Sequence, residues 1–266
     1  MNQKMNKLKK LFHKSLHLNQ LISWLSFYAE HLDYLRKKYP KRLSVVDLKN
    51  LKSSDTLYIL GCGASIKNLT ESDWASINRN DSLALNLWYK STFVPNFWMW
   101  EPPRDKKVRD DEFSGMQKLL NDKSCYTILK NWQNLYSYYS TEEARELVRK
   151  FDSVVMMRRS HIYNPNQMSQ LRTYIKSAHF HFYRGSLFLA IIIARLMGYK
   201  NVILCGVDLS GGYFYDSDTS SANNVHNTAV EKNGISMKDA LFRLKSIMLE
   251  EGIILETHET CKFKLS

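Results

Sequence analysis

Residues 57 to 65 read Leu-Tyr-Ile-Leu-Gly-Cys-Gly-Ala-Ser, four residues with strand preference running into a glycine-spaced turn. A strand that ends in Gly-x-Gly and turns into a helix directs several backbone N–H groups at one spot. Those groups, with the positive helix end, favour a phosphate. The two glycines allow positive φ and let a ligand approach the backbone closely. The candidate binding residues here are Gly61, Cys62, Gly63, Ala64 and Ser65. A full dinucleotide fingerprint would need a third glycine where Ile66 stands, and no Gly-Lys-Ser/Thr follows to make a P-loop. A tight β-α turn without a ligand accounts for the same pattern, so phosphate binding and a plain turn both stand.

Other polar residues fall where strands are expected to end. Ser82 to Leu87 reads as a second strand with Asn86 near its end, and Phe97 to Trp100 as a third, stopped by Glu101-Pro102-Pro103. Gly185-Ser186 opens a very apolar helical stretch closed by Gly198. Asn201 to Asp208 then reads as a buried parallel strand ending in Gly206 and Asp208. In open parallel sheets ligands sit at the carboxyl ends of strands, and Ser65, Asn86, Glu101, Gly206 and Asp208 all fall there. A polar loop over 209–235 carries Tyr213, Tyr215, Asp216 and His226 before Ser236 caps a last helix.

The remaining signals fill out an α/β chain. Thr70 and Ser140 read as helix caps, Cys125 to Leu129 and Ser153 to Met157 as strands, and Ile253 to Leu255 as a final short strand. The stretch 158–183 holds Arg158, Arg159, His161, His179 and His181 without a clear period. It reads as a lid or acceptor insertion, with boundaries near 157 and 185, or as an ordinary irregular excursion. Residues 1–50 read as a basic amphipathic helical extension to an α/β domain over 51–266. Within it, Leu21, Leu25, Tyr28, Leu32 and Leu35 recur at helical spacing, with Lys4, Lys7, Lys9, Lys10 and Lys14 crowding the start. Residues 1–40 would suit an anionic membrane surface, or a second protomer, or packing on the domain itself.

The 266 residues are 44% hydrophobic and 12% aromatic, enough for a sizeable core and against bulk disorder. The net charge of +12 points to an anionic partner. Nucleic acid has little support beyond that charge, because the aromatics are not interleaved with basic residues on a recognisable binding module. Cys62, Cys125, Cys205 and Cys261 are widely spaced, with no C-x-x-C pair, and read as reduced thiols of a cytoplasmic protein. Asp216-Ser217-Asp218 follows an aromatic loop rather than a strand, so no metal site is expected. No signal-peptide pattern is visible, and the apolar stretch 187–197, broken by Arg195, is too short to span a bilayer.

Taken together, Gly61-x-Gly63-Ala64-Ser65, the strand ending in Asn86, the Gly-Tyr-Lys-Asn-Val-Ile-Leu-Cys-Gly-Val-Asp run ending at Asp208, and the Tyr-rich loop before a His resemble a known family. It is the bacterial lipooligosaccharide sialyltransferases of glycosyltransferase family 42, over roughly residues 56 to 260. Related turns occur in motility-accessory-factor proteins and their pyrophosphokinase-like relatives. The resemblance implies a Rossmann-like, mostly parallel sheet flanked by helices, of the GT-A-like single-domain sialyltransferase type. It implies inverting, metal-independent transfer of a nonulosonic or related ulosonic acid from a CMP-activated sugar to a hydroxyl of a glycan or glycolipid acceptor. The CMP-sugar is then donor substrate, and no separate cofactor is expected.

Carried over residue by residue, the resemblance gives the Gly61–Ser65 turn the CMP phosphate. Asn86 would lie along the nucleotide or donor, Gly185 and Ser186 against the donor, and Gly206 and Asp208 against cytidine and ribose. Tyr213, with Tyr215, would donate hydrogen bonds to the departing phosphate, and His226 would be the general base. The chain departs from the family pattern at Cys62, which replaces an Asn, at Ser210, which replaces a Tyr, and at Glu101. A carboxylate at position 101 in place of the family's Asn would meet a different sugar substituent or act as an acid/base itself. Two other readings fit the turn: a pyrophosphokinase-like nucleotide enzyme needing ATP and Mg²⁺, and a non-catalytic nucleotide- or glycan-binding module.

Overall fold

A computed structural model of the chain describes residues 42–103, 112–132, 139–155, 185–215 and 236–265, with scattered positions between 21 and 36 and at 135, 158–159, 172 and 181–182. Among these residues, seven strands make one sheet: β1 Thr56–Leu60, β2 Asp81–Leu85, β3 Phe97–Trp100, β4 Tyr126–Leu129, β5 Ser153–Val154, β8 Asn201–Cys205 and β9 Ile254–Thr257. Their order is β5-β4-β3-β2-β1-β8-β9, and every neighbouring pair is parallel. The chain thus builds outward from β1 in one direction and then restarts with β8 on the other side. The β1–β8 boundary is therefore the topological switch point, where the ends of two strands diverge and leave a crevice. This is the α/β, Rossmann-like architecture that the helix and strand signals imply.

The strands alternate in the two-residue period that a sheet covered on both faces requires. Leu57, Ile59, Leu83, Leu85, Val202 and Leu204 enter one core, with helix α1 (Val45–Leu51), α5 (Gly185–Met197) and α6 (Met237–Glu250). Tyr58, Leu60, Ala84, Trp98, Trp100 and Cys205 enter the other, with α2 (Glu71–Asn78), α3 (Gln117–Asn121) and α4 (Thr141–Arg149) around it. α5 is apolar all round because it is buried between the sheet and α1, and Gly198 closes it at φ +80°. Two of the three expected N-caps form capping boxes, Thr70 with Asp73 and Ser140 with Glu143, and Ser236 caps α6 by accepting from the Asp239 amide.

Leu43 and Leu48 are buried in the first core and the Leu43 amide bonds the Val154 carbonyl. Two expectations need correction. Ser153–Val154 is far shorter than the strand expected to reach Met157. The turn after β1 opens a five-residue 3-10 helix, Ala64–Asn68, not an α-helix, so it has little dipole to offer. Leu21, Leu25, Tyr28, Leu32 and Leu35 are helical and each about half exposed. Arg158–Arg159 (β6) and His181–Phe182 (β7) pair as a short parallel ladder, while most of 156–184 lies outside the described residues. Among the described residues no helix is long and apolar enough to cross a membrane.

The glycines of the first turn sit at a close crossing of chains. A Cβ on Gly61 would lie 2.6 Å from the Gly206 carbonyl oxygen, and one on Gly63 would lie 2.6 Å from the same oxygen. Gly206, at φ +66°, would put its Cβ 2.5 Å from the Gly61 carbonyl oxygen. Neither Gly61 nor Gly63 has positive φ, contrary to expectation. Gly252 is the useful control, with φ +74° and open space around its would-be Cβ. Gly252→Ala should lose about 1–2 kcal/mol from the left-handed backbone alone. Gly206→Ala should lose that plus about 1–3 kcal/mol for overpacking. Urea melts of the two variants check this, and equal losses would mean the crossing is not a tight constraint.

Candidate active site

A cavity of about 260 Å³ opens at the β1–β8 switch point. It is lined by Gly61, Cys62 and Gly63 after β1, Leu85, Asn86 and Leu87 at the end of β2, and Gly206, Val207, Asp208 and Leu209 after β8. The first turn of α5 (Gly185, Ser186, Leu187), Tyr213 and Met237 complete the wall. Residues expected to act together from four separate stretches of sequence thus meet in one place: Gly61, Cys62, Gly63, Asn86, Gly185, Ser186, Gly206, Asp208 and Tyr213. Ala64, Ser65, Glu101 and Tyr215 do not line it, and His226 lies outside the described residues.

Four of the five amides in the expected Gly61–Ser65 cradle are engaged within the protein. The Gly61 amide bonds the Cys205 carbonyl (2.8 Å), Gly63 the Gly206 carbonyl (2.9 Å), and Ala64 the Gly212 carbonyl (3.0 Å). The Ser65 amide donates to Asp208 Oδ2 at 2.9 Å, and the Ser65 hydroxyl is buried towards Cys261. The physical reason is the segment 209–215, which folds back over the turn. Gly63 and Tyr213 form an antiparallel bridge and the Phe214 amide bonds the Cys62 carbonyl at 3.0 Å. The first turn of the 13-residue helix α5 also lines the cavity, and the first-turn amides of a helix have no acceptor within the helix itself.

Asp208 is 3% exposed and spans two chain segments, accepting from the Ser65 amide through one oxygen and from the Lys262 amide (3.0 Å) through the other. The side chain expected on a ribose is thereby the pin between the glycine turn, β8 and the C-terminal segment. Cys62 Sγ donates to the Leu85 carbonyl at 3.2 Å, and burial pushes its thiol up to about 12. It therefore presents a neutral thiol to the cavity. Tyr213 stacks on Tyr215 (centroids 5.1 Å, planes 5° apart), and Lys90 Nζ sits 3.9 Å from the Tyr215 ring centroid. Phe214 points the other way and packs on Trp88, so Tyr213 is left 38% exposed at the mouth.

Behind Ser186 lies Lys130, which no period or motif marks in the sequence. Lys130, at the end of β4, has a fully buried ammonium 2.6 Å from Glu101 Oε2 and 3.2 Å from Ser186 Oγ. The Ser186 hydroxyl also lies 3.1 Å from Glu101 Oε2 and 3.2 Å from Asn86 Oδ1, and Asn131 Nδ2 donates to the other Glu101 oxygen. Burial drives the Glu101 carboxyl up, but the Lys130 charge and the hydrogen bonds from Lys130, Asn131 and Ser186 together outweigh it and hold the carboxyl below its ordinary value. Burial draws the Lys130 ammonium down, opposed by Glu101. Among the described residues, the non-glycine positions with positive φ are Asn86 (+49°), Asn131 (+50°) and Leu209 (+59°), each following a strand end at this edge. Strain gathered around a cavity is a mark of function, and Leu209 is the sharpest case because a bulky side chain disfavours that backbone.

No family model matches the chain, and no curated protein matches it. Among solved structures it is similar to the monofunctional alpha-2,3-sialyltransferase Cst-I from Campylobacter jejuni, at 13% identity and TM-score 0.42 over 80% of this chain and 79% of that one. It is similar to the Campylobacter jejuni sialyltransferase CstII in complex with cytidine-5'-monophosphate, at 17% identity and TM-score 0.42 over 79% and 81%. It is also similar to the MAf glycosyltransferase of Magnetospirillum magneticum AMB-1, at 15% identity and TM-score 0.45, over 79% of this chain and 34% of that one.

Two outcomes follow from the geometry. Asp208→Ala leaves the buried Ser65 amide and the part-buried Lys262 amide unpaired and should lose about 2–3 kcal/mol, while Asp208→Asn keeps one acceptor and should lose about half as much. Unchanged melting of both variants would remove Asp208 as the pin. The second concerns pH. A carboxylate whose folded pKa lies below its ordinary 4.5 adds stability that is complete above that pH and is lost as pH falls through the lower folded value. The stability gap between wild type and Glu101→Gln should therefore be full near neutral pH and close on acidification below 4.5. A gap that widens in acid would contradict the assignment.

Proposed function

We propose that the protein is a sialyltransferase-like glycosyltransferase, which transfers a nonulosonic or related ulosonic acid from a CMP-activated donor to a hydroxyl of a bacterial surface glycan. The observation that carries this reading is the convergence of Gly61-x-Gly63, Asn86, Gly185-Ser186, Gly206-x-Asp208 and Tyr213 on one cavity at the sheet's switch point. Its volume of about 260 Å³ sits at the small end of ligand pockets, roughly 300–1,000 Å³, and suits a mononucleotide better than a dinucleotide.

In this reading the donor phosphate lies against the N-terminal turn of α5, whose N–H groups and positive end stabilise charge as the CMP leaves. The Tyr213 hydroxyl donates to the same phosphate from the mouth, held in place by its stack on Tyr215. Asn86 and Ser186 orient the donor sugar, with Glu101 behind them. The Gly61–Ser65 turn shapes the wall rather than gripping the phosphate. His226 takes the proton from the acceptor hydroxyl, as an imidazole can near neutral pH. The leaving group departs on hydrogen bonds and helix charge, so the transfer needs no metal and inverts the anomeric centre. The net charge of +12 suits a phosphorylated, lipid-linked acceptor at the cytoplasmic face of the membrane, with residues 1–40 resting on that surface or on a second protomer.

The test is a melting series with CMP, CDP, UDP, GDP and ATP, with and without Mg²⁺. A ligand that binds only the folded state adds about 2.7 kcal/mol at a hundred times its Kd. The expected result is a shift with CMP that EDTA does not remove; a shift with ATP and Mg²⁺ alone would replace this reading with the pyrophosphokinase one. With a donor and acceptor in hand, His226→Ala should slow transfer by roughly 10²–10⁴-fold and keep the CMP shift. Unchanged transfer would exclude His226 as the base.

A further inference from the structure

A fully buried lysine is costly unless something in the fold needs it. Lys130 has 0% side-chain exposure, and its ammonium bridges Glu101 at the end of β3 and Ser186 in the first turn of α5. Ser186 in turn reaches Asn86 at the end of β2. Four elements are thus tied at one edge of the cavity through a single ammonium. Ser186 and Asn86 line the cavity, whereas Lys130 and Glu101 do not. The clamp lies behind the wall and acts through it.

We propose that Lys130 is a positioning residue: clamped by Glu101, it fixes the Ser186 hydroxyl and with it the first turn of α5 at the ligand edge. Its consequence for the nucleotide rests on the reading of the cavity given above; its effect on α5 does not. A hydroxyl with Asn86 Oδ1 and Glu101 Oε2 both within reach would otherwise choose between two acceptors. The ammonium holds the carboxylate ionised and sets the Ser186 rotamer, so the helix start meets a ligand already ordered.

Amide hydrogen exchange is the first readout. In an α-helix the amides of Leu189, Ala190 and Ile191 bond the carbonyls of residues 185–187. Lys130→Met should speed exchange at these amides by about tenfold or more, while Leu196 and Met197 at the far end keep wild-type rates. Because Lys130→Met alone leaves Glu101 unpaired, the double variant Lys130→Met/Glu101→Gln is the decisive protein: it removes both charges and should recover most of the melting temperature. Fast exchange at 189–191 should persist in it, and its CMP affinity should remain at least about tenfold below wild type despite the recovered fold. A sharp Lys130 ¹⁵Nζ ammonium resonance should be seen in wild type and move in Ser186→Ala. Wild-type exchange at 189–191 in the double variant, or a Lys130 resonance indifferent to Ser186→Ala, would overturn the proposal. If wild type itself fails to bind CMP, the functional reading falls, and the exchange and resonance measurements in free protein still decide the role of Lys130.

Discussion

The back-to-back crossing of two chain turns at the centre of the sheet is the constraint on which the rest depends. Gly61-x-Gly63 leaves β1 and Gly206-x-Asp208 leaves β8, and they pass so closely that a Cβ at Gly61, Gly63 or Gly206 would collide with backbone or with Asp208. Parallel neighbours with the order β2-β1-β8 must diverge here, because their connections run to different places. The crossing is sealed by main-chain hydrogen bonds and by the Asp208 carboxylate, which extends the seal to the C-terminal segment. Its rigidity makes the crevice beside it a fixed cavity.

The same seal decides where an anion can be met. Amides spent on holding the crossing cannot also hold a phosphate. The first turn of α5 reaches the cavity because the body of the helix is sunk between the sheet and α1. The clamp of Lys130, Glu101 and Ser186 stands at the point where that helix begins. Hydrophobic burial places the helix, and a buried ion pair sets its first turn, so the core and the site are linked through one residue. Strained backbone at Asn86, Asn131 and Leu209 lies along the same edge, which fits a site whose geometry the surrounding packing imposes.

Much of this was legible in the sequence because it was written in period and punctuation. The strands after Thr56 and Asn201 are short apolar runs with a glycine at the end, α5 is a strongly apolar helix closed by Gly198, and Thr70 and Ser140 are caps with an acid three residues on. The gathering of Asn86, Gly206 and Asp208 followed from strand ends, and that of Ser186 from the family resemblance. The function of the Gly61–Ser65 amides was not legible, because a glycine kept for a ligand and a glycine kept for a neighbouring chain have the same letter. Only the three-dimensional path of 206–214 separates them. Lys130 was hidden for a similar reason: it follows an apolar strand as any surface lysine might, and its burial depends on partners 29 and 56 residues distant in sequence.

The most direct test of the account is a structure determined with CMP bound. The account predicts the nucleotide in the cavity at the β1–β8 switch point, with its phosphate within hydrogen-bonding distance of the amides at the start of α5 and away from those of Gly61, Gly63, Ala64 and Ser65. A phosphate seated on the Gly61–Ser65 amides, with the 209–215 segment displaced to free them, would contradict it, as would a nucleotide bound anywhere other than this cavity.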